Sequence, residues 1–178
     1  YEFNQGGVLK AFRRAVDNGA DVKIIFDDRQ VVNEKNPDRS KVQPSMQNRE
    51  AIDTFDLEKV VIPRQADPSA ISHNKFIILL ENGKPVQVWT GSTNMTDGGI
   101  FGHSNVGHII RDPKVAAKYL EYWEHLKDDP KMDRKATVDQ IRPFNDEHTP
   151  VPDEKPPAKK TITIFSPRGS LTALEWYA

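Results

Sequence analysis

Ser72-His73-Asn74-Lys75-Phe76-Ile77-Ile78-Leu79-Leu80 runs through Glu81-Asn82-Gly83-Lys84 into a second apolar stretch and ends on Gly91-Ser92-Thr93-Asn94. Two apolar runs, residues 76–80 and 86–90, flank an Asn-Gly pair, the strongest short-range signal for a tight hairpin turn. Side chains alternate faces along a strand, so His73 and Lys75, two positions apart, point to one side. The second run ends in small polar residues that bring the Ser92 hydroxyl and the Asn94 carboxamide toward the same place. Imidazole, ammonium, hydroxyl and amide together suit the holding and attack of a phosphate.

Outward from the hairpin, residues 4–18 carry Val8, Leu9, Phe12, Ala15 and Val16 on one helical face, and Asn18-Gly19 supplies the stop. Asp21-Val22-Lys23-Ile24-Ile25-Phe26 reads as a strand whose continuous apolar end predicts burial on both faces. A helix leading into such a strand is half of an α/β crossover unit. Residues 27–44 predict an irregular excursion, with Asp27-Asp28 as the start of a solvated loop, and residues 47–55 a short helix. Val60-Val61-Ile62 is a second buried strand closed by Pro63, and residues 106–110 form another short strand. Asp112-Pro113 opens a helix to about Lys127. Its predicted buried face carries Val115, Ala116, Tyr119, Leu120, Trp123 and Leu126.

The 178 residues, 37% hydrophobic and 29% charged, suffice for one core with an appendage. A net charge of −1 sets up no overall basic field for nucleic acid. The absence of cysteine excludes disulfides, thiol nucleophiles and thiolate metal sites. No apolar run approaches the roughly 18 residues of a membrane span. Residues 128–160 hold six prolines and mixed charges, which predicts a linker wrapping the surface or partly disordered. Thr161-Ile162-Thr163-Ile164-Phe165 then reads as a strand, and a helix begins at Ser170. The chain opens at Tyr1 with a helix and no strand before it, so a piece beginning mid-fold is expected. The tail strand is predicted to fill the vacant sheet position, in its own chain or a neighbour's, because an open edge invites pairing.

With the hairpin between them, His73-x-Lys75 and Gly91-Ser92-x-Asn94 closely resemble the signature of one half of a phospholipase D superfamily enzyme. The resemblance covers about residues 8–127. It implies an α/β sandwich: a mixed β-sheet flanked by helices on both faces, with His73 and Lys75 at the edge of a central cleft. It divides the chain into a half domain at 1–127, a linker at 128–160, and the opening strand and helix of a second half at 161–178. The implied activity is that of a phosphodiesterase, a hydrolase or transphosphatidylase, acting through a phosphohistidine on His73. Lys75 would neutralise non-bridging oxygens, Asn94 would donate to the phosphate, and Ser92 would bond phosphate or orient a neighbour. Asn105 stands eleven residues after Asn94, where family members often carry a Glu or Asn that orients the histidine. No metal and no cofactor is expected in this scheme. The family's acid, five positions after the lysine, is replaced by Leu80. Glu81 follows with opposite strand parity and substitutes only if the strand bulges.

The implied mechanism needs two histidines on opposite sides of phosphorus, and this chain offers one motif. The expected partners are a phosphodiester substrate, phospholipid or nucleic acid, and a second half from a missing chain segment or a homodimer partner. Two alternatives accompany this reading: a metal-independent nuclease of the same superfamily acting as a dimer, and a non-catalytic phosphate-binding or interaction module. Lys10, Arg13, Arg14 and Lys35 would supply a basic face for the nuclease. His103 and His108 lie five apart, on opposite faces of an extended strand, and are not expected to bind metal. A nucleophilic imidazole must be neutral, so activity should fall as pH drops below a value near about 6.5.

Overall fold

Alternation along the first strand, β1 (Ile24–Asp27), organises the core by sending Ile24 and Phe26 to one apolar cluster and Ile25 to another. The computed structural model describes residues 1–28, 44–66, 73–128, 131–132, 135, 137–155 and 160–178. The first cluster lies under α1 (Gly6–Asp17) and α2 (Pro44–Thr54), where Leu9, Ile52 and Leu57 are buried with Phe3. Helix α1 starts where the Gln5 side chain accepts from the Val8 amide over 2.8 Å, and it ends at Gly19, whose φ of 84° suits only a residue without Cβ. The second cluster lies under α3 (Pro113–Asp128) and joins Tyr122 and Leu126 to Ile141 and Phe165. Helices therefore cover both faces of β1, as the burial reading expected.

Strand β2 (Val61–Ala66) pairs in parallel with β1, Ile24 opposite Val61 and Asp27 opposite Arg64. It runs through Pro63 rather than closing there. On its other side β2 meets β6 (Lys131–Met132) at Gln65 and Ala66, and among the described residues no strand pairs with Pro63 there, so its missing N–H breaks no ladder bond. The hairpin forms as expected: β3 (Phe76–Glu81) and β4 (Lys84–Gly91) pair around Asn82 and Gly83, whose φ values of 52° and 75° are those of a tight primed turn. Strand β5 (Gly107–Ile110) adds to β4 antiparallel. The α/β class with parallel and antiparallel strands thus holds, and the hydrogen bonding divides them among the described residues into two three-stranded sheets, β1-β2-β6 and β3-β4-β5. Helix α3 packs on the antiparallel sheet, with Val88 of β4 and Val115 and Ala116 of the helix all buried. The Asp112 carboxylate caps α3 by accepting from the Lys114 amide over 2.8 Å.

Several expectations need correction. Tyr122, not Trp123 or Leu120, is the deeply buried residue of α3 beside Val115, Ala116 and Leu126. Residues 161–165 are not a strand. Instead Phe165 stacks on Tyr122 at 4.5 Å and meets Tyr119 edge-on at 4.9 Å. The stretch expected as a linker contributes α4 (Arg142–His148), whose Asn145 is buried and bonds to the Pro167 carbonyl over 2.9 Å. The N-terminus itself makes an isolated parallel bridge, Phe3 to Met95, outside both sheets. Asp27 and Asp28 are buried, not solvated, and Asp28 pairs with Arg49 of α2. The excursion expected over 27–44 falls, from residue 29 to 43, outside the described residues, as do Lys35 and Ser72. A last helix, α5 (Thr172–Tyr177), begins two residues later than expected.

Candidate active site

His73-Asn74-Lys75 lies in coil just before β3 rather than within a strand, yet the alternation persists. Asn74 turns inward and donates to the Tyr122 hydroxyl over 3.2 Å. His73 and Lys75 turn the other way and share one neighbour, Tyr1. Its ring meets the imidazole edge-on at 4.9 Å, and the Lys75 ammonium lies 5.7 Å from the same ring. Lys75 Nζ also donates to the His73 carbonyl over 2.8 Å, and its own carbonyl accepts from the Thr90 hydroxyl of β4. The pair is thereby fixed at the strand end from both sides.

The electrostatics follow from this packing. Burial, and next the neighbouring Lys75 charge, push His73 below its ordinary value, with Glu2 opposing. Burial lowers Lys75 to about 8, again against Glu2. Both shifts favour the uncharged forms, the imidazole over the imidazolium and the amine over the ammonium.

The second motif is built by close approach. At Gly91 a Cβ would stand 2.1 Å from the Val106 carbonyl oxygen, so only glycine lets β4 and the strand after the loop come together here. Beyond it, the Ser92 hydroxyl donates to the Asn105 Oδ1 over 2.9 Å and accepts from the Val106 amide at 3.1 Å. Asn105 Nδ2 donates in turn to the Gly99 carbonyl at 2.8 Å. Ser92 is thus bonded to both Asn105 and Val106. The Asn94 amide donates to the Glu2 carboxylate, and its Oδ1 is buried without a hydrogen-bond partner among the described residues.

Sequence reasoning named five site residues, and the structure arranges them as two pairs and a bridge. His73 and Lys75 meet at Tyr1, Ser92 meets Asn105, and Asn94 reaches Glu2, the residue next to Tyr1. Among the described residues no hydrogen bond joins Asn105 to His73, so within this chain the amide holds the loop at Gly99 rather than the imidazole ring. Tyr1 and Glu2 were missed, because three residues of terminal chain carry no periodicity. The family acid is not restored by Glu81. The register jumps from Leu79 opposite Gln87 to Leu80 opposite Pro85, so the extra residue, Val86, belongs to β4. The alternation of β3 is unbroken, and Glu81 pairs with Lys84 at the far end of the hairpin.

Beside the second motif lies a groove of about 450 Å³, lined mainly by Val8, Ile77, Trp89, Met95 and Ile100, with Asn105 at its wall. Among the described residues no group of three or more His, Asp or Glu side chains is placed to hold a metal ion. Of the basic face expected for a nuclease, Arg13 is engaged with Asp17 and with the Asp56 carbonyl at 2.8 Å.

Residues 1–127 match the family described as Cardiolipin synthase, PLD-like domain. Among solved structures, that of Nuc from Salmonella typhimurium, described as a phospholipase D family member, is similar at 28% identity. The likeness covers 72% of this chain and 74% of the other, with a TM-score of 0.52. No curated protein matches the chain.

Proposed function

The chain belongs to the phospholipase D-like domain family, a superfamily of phosphodiesterases, and from that premise we propose that residues 1–127 act as one half of a two-histidine phosphodiesterase. In this reading His73 attacks the phosphorus of a phosphodiester. The new N–P bond forms as the P–O bond to the leaving alcohol breaks, and an acid from the second half protonates that alcohol. Water, or another alcohol in a transfer reaction, then attacks the phosphohistidine and releases the imidazole. Lys75 offsets charge on the non-bridging oxygens, and the second N–H of the Asn94 amide donates to the phosphate. The task is positioning and charge stabilisation, for which each donor typically contributes about 10²–10³ in rate.

The observation that carries the reading is the pairing of His73 and Lys75 on one side of the chain, with the imidazole held below its ordinary pKa. The second histidine comes from a continuation of the polypeptide or from a second copy of this chain. A copy is favoured by the face of the antiparallel sheet on which, among the described residues, Ile77, Leu79 and Ile109 are exposed together beside the groove.

The test is turnover of bis(p-nitrophenyl) phosphate in EDTA by the wild-type chain and by His73→Ala, across protein concentration. Metal-independent release that vanishes in the variant and rises more steeply than linearly with protein supports a site assembled from two copies. No release at any concentration, with a second motif absent from the gene, would replace this reading with a non-catalytic phosphate-binding module.

A further inference from the structure

Glu2 is the acidic side chain that the second motif touches, and the chain around it is clamped. The Asn48 side chain, fully buried on α2, accepts from the Phe3 amide over 2.7 Å and donates to the Tyr1 carbonyl over 2.7 Å. On the other side, the Glu2 carbonyl accepts from the Met95 amide at 3.1 Å, and the Met95 carbonyl accepts from Asn4 and Gln5 at 2.9 and 2.8 Å. Between these clamps the Glu2 carboxylate accepts from the Asn94 amide. The preceding residue, Tyr1, lies against both His73 and Lys75.

The motif strand supplies no acid of its own, since Leu80 stands in the family's acidic place and Glu81 is at the hairpin end. Resting on the phosphodiesterase reading above, we propose that Glu2 is the positioning carboxylate of this site. It holds the Asn94 amide toward phosphate and supplies the negative charge that faces the His73–Lys75 pair. The side chains whose charges act on His73 among the described residues are Lys75 and Glu2, beside the Tyr1 ring, and of these Glu2 is the acid. Its influence on both His73 and Lys75 runs in the direction this role requires. The sequence conceals the role because Glu2 and Asn94 lie 92 residues apart.

The test separates charge from hydrogen bonding. Glu2→Gln keeps an oxygen for the Asn94 amide and removes the charge; Glu2→Ala removes both. The five histidine rings are titrated by carbon–proton NMR in wild type and both variants, with the His73 signal assigned by its loss in His73→Asn. The expected result is a His73 pKa lower in both variants, since each removes the negative charge that favours the imidazolium. In turnover, both limbs of the pH profile of Glu2→Gln move to lower pH, and kcat falls more than KM rises. A His73 pKa unmoved in Glu2→Gln overturns the proposal, whatever the turnover. Absence of wild-type turnover would count against the enzymatic reading alone and leave the titration to decide the role of Glu2.

Discussion

The Ser92 hydroxyl donates to the side-chain carbonyl of Asn105 over 2.9 Å, tying the end of β4 to the loop that leads into β5. Because Asn105 is also held at Gly99, and Ser92 at the Val106 amide, the two side chains form one unit that fixes Asn105 at the wall of the groove. Residues that act as a unit lose their effect together. Ser92→Ala and Asn105→Ala should each lower kcat by about 10²-fold, the loss typical of one misplaced donor group. The double variant should lose little more than either alone. Steady-state kinetics on the four proteins checks this, and losses that simply multiply would show that the pair is not coupled.

The pH profile has two limbs with assigned signs. His73 must be neutral to attack, so the rate falls as pH drops through its pKa, which burial and Lys75 place below the ordinary value. Lys75 must be charged to face phosphate, so the rate also falls as pH rises through about 8. The expected profile of kcat/KM is a bell, with its acid limb below about 6.5. Lys75→Arg should remove the alkaline limb if it retains activity, since guanidinium does not titrate in this range.

Phe165 tests whether the tail belongs to the core. Its ring is 7% exposed and stacked on Tyr122, so Phe165→Ala should cost roughly 3–5 kcal/mol. Urea unfolding of the two proteins measures this. A cost below about 1 kcal/mol, the range of surface substitutions, would show that residues 161–165 do not complete the hydrophobic core under α3.

These elements also show what a reading of the sequence can reach. The hairpin and α3 are legible because their signals are local: Asn82-Gly83 demands a primed turn, and Asp112-Pro113 caps and opens a helix. His73 and Lys75 are legible for the same reason, since a spacing of two decides which side they share. The tail misleads because alternating Thr and Ile measure fitness for a pleated surface, and a strand needs a partner that this segment does not find among the described residues. The burial of Asp28 depends on Arg49, and the role of Glu2 on Asn94. Neither contact leaves a trace in the pattern of its own neighbourhood.

The central claim is that His73 becomes covalently phosphorylated during turnover. The most direct measurement is rapid acid-free quench of the chain with a phosphodiester substrate, followed by peptide mass spectrometry and phosphorus NMR. The account predicts a phosphoramidate on the peptide carrying His73, stable to base, labile to acid, and absent from His73→Ala. Turnover in which His73 never carries phosphorus, or carries it no more than His103, would contradict it.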